Sequence, residues 1–201
     1  SKVQYKCQIS GSSNLVPIMF FGYLPPVNRL IPIGERPSEE SAFPAELLFC
    51  PDSGLVQLGL VVNPEILFPP EYPYTSSTTK QLRDNFAELY KEVSSIIHLT
   101  SESLIVDIGS NDGNLLSNFK NNHRVLGVTP EDIGQKAIEK DIPTIIDYFS
   151  EQVVDTIIAG HGKAQVVTAT NVFAHIDNAD QVVKDILKLM DQDGIFISES
   201  H

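Results

Sequence analysis

The sequence is poor in basic residues, and this scarcity excludes two classes of partner. Fourteen lysines and arginines stand against 26 aspartates and glutamates, so the formal net charge at pH 7 is -12. Nucleic acids and anionic membranes are both bound through clusters of Lys and Arg. We therefore expect no nucleic acid and no membrane among the partners of this chain.

Cysteines and long apolar segments are also scarce. Cys7 and Cys50 are the two cysteines, too few for a disulfide framework. No apolar run is long enough to span a bilayer, and the first residues lack the basic-then-apolar pattern of a secretion leader. The sequence therefore predicts a cytoplasmic protein, and its 42% of hydrophobic residues suffice for a buried core.

Prolines are scarce after residue 79, and their distribution divides the chain. Residues 1–79 hold 11 of the 13 prolines and show little helical periodicity, which is typical of short strands and ordered loops. From about residue 79 to residue 99, apolar residues instead recur at helical spacing. We expect a small module rich in strands and loops at 1–79 and a second domain at 80–201.

After residue 100, predicted strands and helices alternate, which indicates an α/β fold with a parallel sheet covered on both faces. About five strands are predicted, at 104–108, 124–128, 144–146, 165–169 and 194–198. Helices are predicted at 79–99, 114–120, 131–140, 150–161 and 179–190.

The segment LIVDIGSNDG, residues 104–113, is the most informative stretch. It reads as an apolar strand ending in Asp107, then a turn in which Gly109 and Gly113 let the backbone approach a ligand. Two of the three glycines of a dinucleotide fingerprint are replaced by asparagine, which disfavours a nicotinamide-linked oxidoreductase. An acidic loop without Lys or Arg suits a cationic or neutral ligand and points to S-adenosylmethionine, whose sulfonium is positive. On the motif alone, an ordinary strand–turn–helix junction is the alternative.

Seven segments carry a resemblance to a known family. They are FGYLPPVN at 21–28, CPDSGLVQL at 50–58, EYPYTSSTT at 71–79, VDIGSNDGNLL at 106–116, VLGVTPE at 125–131, TNVFAHI at 170–176 and ISESH at 197–201. Residues 80–201 resemble the class I S-adenosylmethionine-dependent methyltransferases. The whole sequence resembles the sugar C-methyltransferases, which act on nucleotide-linked keto-deoxysugars. This resemblance implies a Rossmann-like domain, methyl transfer from S-adenosylmethionine and a nucleotide-linked keto-sugar as substrate.

The resemblance also assigns residues to the cofactor. The loop after the first strand of the second domain matches the family's cofactor loop at Asp107, Gly109, Asn111, Asp112 and Gly113. Asp107 is expected to accept a hydrogen bond from the cofactor's amino group, while the glycines allow close approach of the backbone.

The end of the second predicted strand departs from the family. An acid there ordinarily binds both ribose hydroxyls, but this sequence has Thr129, followed by Pro130. By their place in the matching segment, Thr129 and Pro130 are expected to contact the cofactor. The Thr129 hydroxyl can replace one of the hydrogen bonds that such an acid makes to the ribose, but it cannot replace a charge-assisted pair of bonds. Glu131, two residues later, is an alternative acceptor.

By resemblance, Asp147, Tyr148 and Phe149 form the segment that flanks the adenine, with Phe149 offering an apolar face. A role for Phe149 in the core is the alternative.

The segment after the fourth predicted strand is expected to form the rim of the reaction site. By resemblance, Asn171 contacts the cofactor, His175 lines the substrate pocket and assists deprotonation, and Tyr74 is an active-site tyrosine. Methylation of a carbon next to a ketone requires a base that removes the α-proton, and imidazole has nearly the required pKa. A loop-capping histidine and a packing tyrosine are the alternatives.

The family's N-terminal module carries two Cys-x-x-Cys pairs that bind zinc. This sequence instead has Cys7-x-x-Ser10 and Cys50-x-x-Ser53. Two thiolates with two neutral hydroxyls bind zinc far more weakly than four thiolates do. We expect a degenerate site without tightly bound zinc, in which Cys7 and Cys50 lie close together.

The family continues well beyond residue 201, and the further portion supplies its principal base. We therefore expect a truncated chain that is catalytically poor alone and is completed by a C-terminal partner chain or by a homo-oligomer. One part of a split methyltransferase, or a non-catalytic S-adenosylmethionine-binding or scaffold module, are the alternatives.

Overall fold

The computed structural model describes residues 1–27, 30–36, 39–70, 73–176 and 178–200. Some residues of the family motifs, namely Asn28, Glu71, Tyr72 and His201, lie outside the described residues.

The strands of the described chain are β1 Lys2–Val3, β2 Val16–Leu24, β3 Phe43–Phe49, β4 Val56–Leu58, β5 Leu60–Val61, β6 Leu104–Ile108, β7 Arg124–Thr129, β8 Thr144–Ile146, β9 Ala164–Thr170 and β10 Met190–Glu199. The helices are α1 Pro64–Leu67, α2 Lys80–Ile96, α3 Gly134–Glu139, α4 Glu151–His161 and α5 Ala179–Leu189, and short 3-10 turns form at Ser76–Thr78, Leu116–Asn118 and Phe173–His175. None of the helices in these ranges is long and apolar enough to cross a membrane.

The chain divides into two compact units, residues 1–69 together with 178–180, and residues 70–176 together with 181–200, so that the first boundary falls between residues 69 and 70. The predicted boundary lies ten residues later, at 79/80. The difference arises because the residues just before α2 are bound into the second unit, where the Ser76 hydroxyl donates to the Asp112 carboxylate at 2.6 Å.

The first unit is built from short antiparallel strands, as its proline content predicts. One sheet has the order β2-β3-β4, and β1 pairs with β5. The Gln57 amide, on β4, donates to the Lys6 carbonyl at 3.1 Å and accepts from the Gln8 N–H at 2.9 Å. These bonds fix the segment on both sides of Cys7 against the sheet.

The second unit contains a five-stranded parallel sheet of order β10-β9-β6-β7-β8, which confirms the predicted α/β fold. The chain runs outward from β6 through β7 to β8, then returns to the other side of β6 for β9 and β10. The strand order therefore reverses between β6 and β9, and open α/β sheets of this Rossmann-like kind bind ligands at such a switch point.

Every residue of β6 is buried because helices cover both faces of this sheet. Leu104, Val106 and Ile108 pack into one apolar cluster with side chains of α4 and α5. Ile105 faces the other way, as strand alternation requires, and packs with side chains of α2 and α3.

The helix predicted at 114–120 is wrong: the structure has the 3-10 turn Leu116–Asn118 there. The Ser117 hydroxyl and the Asn118 amide donate to the Asn114 carbonyl at 2.6 and 3.1 Å. Such side-chain bonds compete with the backbone bonds of an α-helix, which explains the short turn.

Candidate functional site

The loops that follow β6, β7 and β9 carry the predicted cofactor residues, and they leave the same edge of the sheet. Two of the three described non-glycine residues with positive φ lie in these loops, Asn111 (φ 50°) and Asn171 (φ 57°). Asparagine tolerates this backbone region better than most residues, and unusual backbone geometry tends to gather at ligand sites.

Asp107 lies near the end of β6 with its side chain 2% exposed. The Thr168 hydroxyl, on neighbouring β9, donates to the Asp107 carboxylate at 2.6 Å. Burial raises the pKa of Asp107 to about 7, and the hydrogen bond from Thr168 opposes that rise. A cationic group brought next to this carboxyl would favour its ionised form.

The two loop glycines allow close packing at positive φ. A Cβ added to Gly109 (φ 73°) would lie 2.2 Å from Cγ2 of Val172, in the loop after β9. A Cβ on Gly113 (φ 76°) would lie 2.9 Å from Cβ of Ala137, on α3. Gly109 thus brings the two loops at the switch point together, and Gly113 allows α3 to pack against the loop.

Asn111 and Asp112, predicted to bind cofactor, direct their side chains to residues 74–76. The Asn111 amide accepts from the Ser76 N–H at 2.9 Å and donates to the Tyr74 carbonyl at 3.1 Å. Ser76 binds Asp112 as described above. These bonds hold the backbone of Tyr74 beside the cofactor loop, and its side chain is half exposed.

Asp112 also pairs with Lys140 at 3.0 Å, although its side chain is 1% exposed. Burial favours a raised pKa, but hydrogen bonds from Ser76 and Ser77 and the charge of Lys140 outweigh it, so the pKa of Asp112 lies below its usual value. The ionised carboxylate therefore has its partners within the protein.

At the end of β7, Thr129 is fully buried and Pro130 is partly exposed. The Thr129 hydroxyl donates to the carboxylate of Glu131, which is also buried. The acid two residues late in the sequence therefore lies next to the residue at the expected position.

Phe149 is partly buried and packs against the apolar cluster on the α4–α5 face, whereas Asp147 and Tyr148 before it are exposed. This placement matches the core alternative. Contact between Phe149 and an adenine stays a prediction.

Asn171 follows β9, and its backbone N–H donates to the Glu199 carbonyl at 2.7 Å. Its side-chain oxygen is buried without a hydrogen-bond partner among the described residues. Buried polar atoms of this kind are uncommon, and this one suits a ligand that donates a hydrogen bond. His175 is exposed on the 3-10 turn that follows.

Sequence reasoning missed three residues that shape the site: Ser76, Lys140 and Thr168. Lys140 and Thr168 lie 28 and 61 residues from their carboxylate partners. Only the strand order and the folding of the loop bring these residues together, so no local pattern identifies them.

In the first unit, the four positions of the two Cys-x-x-Ser pairs converge. The Cys7 sulfur lies 3.2 Å from Oγ of Ser53, and Oγ of Ser10 lies 3.6 Å from the Cys50 sulfur. Both thiols are buried and free. We call these four residues the thiol–hydroxyl cluster.

The electrostatics of this cluster favour a thiolate. Burial opposes ionisation of the Cys7 thiol, but hydrogen bonds from Ser10 and Ser53 outweigh it and lower its pKa to about 6. The described residues contain no group of three or more His, Cys, Asp or Glu side chains that could hold a metal ion. The donor set therefore does not fit a structural zinc ion, which takes four strong ligands.

The sheet order and the loops at its switch point define a Rossmann-like α/β domain, and comparison with known proteins extends this assignment. Residues 7–68 match a family described as "Putative zinc binding domain". The chain is 29% identical over 196 residues to C-methyltransferase NovU of Streptomyces niveus, covering 96% of this chain and 46% of that protein. The chain thus spans about half the length of this curated relative.

Solved methyltransferase structures are more distant. The plantazolicin methyltransferase BpumL is 10% identical, with a TM-score of 0.47 and coverage of 61% of this chain and 47% of that one. An S-adenosylmethionine-dependent methyltransferase from Clostridium acetobutylicum is 14% identical, with a TM-score of 0.47 and coverage of 58% and 49%. These values are too low to support an argument, so the fold assignment rests on the strands of the chain itself. The similarity to NovU and the matched zinc-binding domain confirm the resemblance to C-methyltransferases.

Proposed function

We propose that this chain supplies the S-adenosylmethionine-binding part of a C-methyltransferase that acts on a nucleotide-linked keto-deoxysugar. The observation that carries the proposal is the buried Asp107 beside Gly109 at the switch point of the parallel sheet. The similarity to a C-methyltransferase supports the reaction class, and the motif resemblance supports the sugar.

The residues of the site suit this ligand. When bound, S-adenosylmethionine supplies an electrophilic methyl group. Asp107, whose pKa is about 7, would become ionised beside the ligand's ammonium group. Asn171 offers an unused buried oxygen, and the ammonium of Lys140 beside the loop is paired with the Asp112 carboxylate.

Residues for proton transfer lie on the rim of the site. We assign the removal of the α-proton to His175, which is exposed after β9, because an enolate must form before it attacks the methyl group. Tyr74 is assigned to the substrate, since Asn111 holds its backbone beside the cofactor loop. A C-terminal partner chain or a second copy of the chain would complete the pocket.

A non-catalytic binding or scaffold module is the second candidate. It is favoured by Asn111 and Asp112, whose side chains bind residues 74–76, and by the thiol–hydroxyl cluster, which lacks half the thiols of a zinc site. This candidate predicts the same fold without methyl transfer.

Calorimetric titration with S-adenosylmethionine and S-adenosylhomocysteine tests the proposal. We expect micromolar binding by the unmodified chain and binding about tenfold weaker or more in Asp107→Asn, because a charge-assisted hydrogen bond is lost. Asp193→Asn, at an exposed acid of β10, is the matched control and should bind normally. No binding by the unmodified chain would overturn the proposal.

Methyl transfer then separates the two candidates. The chain is incubated with labelled S-adenosylmethionine and a nucleotide-linked keto-deoxysugar, alone and with the C-terminal half of a relative added in trans. Transfer, alone or with the added half, supports the enzyme. Binding without transfer under either condition supports the scaffold.

A further inference from the structure

The thiol–hydroxyl cluster is formed by two turns that are built alike. Their sequences are CQISG at 7–11 and CPDSG at 50–54. In each turn the glycine N–H donates to the cysteine carbonyl, at 2.9 Å in the first turn and 2.8 Å in the second. Both glycines have positive φ, 70° for Gly11 and 75° for Gly54. The two backbones therefore close in the same way, and each turn presents one thiol and one hydroxyl.

The two turns face each other with the thiol of one against the hydroxyl of the other. The Cys7 sulfur lies 3.2 Å from Oγ of Ser53, and the Cys50 sulfur lies 3.6 Å from Oγ of Ser10. The Ser10 N–H also donates to the Cys7 sulfur at 3.4 Å, so Ser10 contacts both sulfurs. The cysteines are 3% and 0% exposed, whereas both serines are exposed. The sulfurs therefore lie just beneath the surface on either side of Ser10.

This set of donor atoms selects the kind of cation that the cluster can hold. Within the described residues, no third Cys, His, Asp or Glu side chain joins the two thiols in a metal-binding group, so the four strong ligands of a structural zinc ion are missing. Thiolates are soft ligands and suit copper(I), whereas a serine hydroxyl is a hard, neutral donor. Copper(I) has a filled d shell and a single charge, and two thiolates in a linear arrangement satisfy it.

We propose that the thiol–hydroxyl cluster binds one copper(I) ion between the Cys7 and Cys50 sulfurs, with Ser10 and Ser53 as hydrogen-bond donors to those sulfurs. Binding forms two copper–sulfur bonds and releases the two thiol protons to solvent, and the oxidation state of copper does not change. The complex carries one negative charge, and a buried charge needs compensating donors. The two hydroxyls and the Ser10 N–H supply them. The inference goes beyond the proposed function, because no residue of the cofactor site takes part.

Titration of the reduced full chain with copper(I), without oxygen and against the chromophoric chelator bicinchoninate, tests this inference. We expect the unmodified chain to take one copper ion from the chelator. Cys7→Ser and Cys50→Ser should each bind at least about 100-fold more weakly, since one copper–sulfur bond is lost. Ser10→Ala and Ser53→Ala should bind about tenfold more weakly with unchanged stoichiometry, since each loses only a donor beside a ligand. Ser13→Ala, at an exposed serine, is the matched control and should bind like the unmodified chain.

A second measurement does not depend on the folding of a variant. X-ray absorption at the copper edge of the loaded, unmodified chain should show two sulfur neighbours and no oxygen or nitrogen neighbour. Three or more neighbours, or a loss in Ser10→Ala as large as that in Cys7→Ser, would overturn the linear site. Failure of the reduced chain to compete for copper(I), or displacement of the bound copper by excess zinc, would overturn it as well. All of these outcomes leave the proposed function intact.

Discussion

The thiol–hydroxyl cluster and the end of β7 depart from the same family pattern in opposite ways. In the first unit, the four positions still converge, with Cys7 3.2 Å from Ser53, but two of the ligand atoms are hydroxyl oxygens. At the end of β7, the position expected to carry an acid is Thr129, whose hydroxyl donates to the carboxylate of Glu131 two residues later. A preserved backbone arrangement therefore does not preserve the chemistry of a site, and a carboxylate can reach a position from two residues further along the chain.

The number of groups required explains this difference. A structural zinc ion needs four strong ligands in a tetrahedron, and no neighbouring residue can supply two missing thiolates at once. A single carboxylate, in contrast, can be brought by a tight turn from two residues away.

Restoring the two missing thiols of the thiol–hydroxyl cluster should have the largest effect, because it should remove the difference between this cluster and a four-thiolate zinc site. We expect Ser10→Cys with Ser53→Cys to bind one zinc ion at least about a thousandfold more tightly than the unmodified chain, since four-thiolate sites bind zinc with roughly 10 kcal/mol or more. Competition with a chromophoric chelator measures the affinity. Each single variant is a control and should gain far less. Tight binding of zinc by the unmodified chain would contradict our assignment of the cluster.

Replacing Asp107 with asparagine should show that the second unit, unlike the first unit with its missing thiols, keeps a buried acid that lowers the stability of the fold. The pKa of this carboxyl is about 7 in the folded chain against an ordinary 3.8. The folded chain therefore binds the proton more tightly, and Asp107 lowers stability as pH rises from about 4 to above 7. Each tenfold change in proton affinity is worth about 1.4 kcal/mol, so the effect is on the order of 4 kcal/mol.

We expect Asp107→Asn to be more stable than the unmodified chain at pH 8 and about equally stable at pH 4. Urea denaturation at a series of pH values measures this difference, with Asp147→Asn as the exposed control. If Asp107→Asn kept the pH dependence of the unmodified chain, the assignment of that dependence to Asp107 would be wrong.

Substitution of Gly109 tests whether close packing against Val172, in addition to a positive φ, requires glycine in the loop after β6. Gly109→Ala should destabilise the chain by about 2 to 5 kcal/mol, because an unfavourable φ adds to a clash with Val172. Gly162 has φ 83° and ψ -167°, a backbone region that other residues rarely adopt, and no atom lies within 4 Å of an added Cβ, so Gly162→Ala should cost about 1 to 3 kcal/mol from strain alone. Thermal unfolding compares them. Equal losses, or no recovery when Val172→Ala is added to Gly109→Ala, would contradict the packing argument.

Much of the second unit could be predicted from the sequence because its strands are short apolar runs. The bounds of β6 and β8 are as predicted, and Asp107 is predicted as a site residue because it lies near the end of such a run. The helix at 114–120 was wrong because Ser117 and Asn118 bind the backbone themselves. Thr168 could not be found, since its contact with Asp107 depends on the pairing of β6 with β9.

The bonds between residues 74–76 and the loop after β6 make these two segments energetically dependent on each other. The Asn111 amide binds the Ser76 N–H and the Tyr74 carbonyl, and the Asp112 carboxylate accepts from the Ser76 hydroxyl. Order in one segment therefore favours order in the other. By linkage, if a ligand that orders the loop after β6 favoured order at Tyr74, a ligand at Tyr74 would strengthen binding at the loop by the same factor. We therefore expect that ligands bound at these two segments would bind cooperatively without a change of fold.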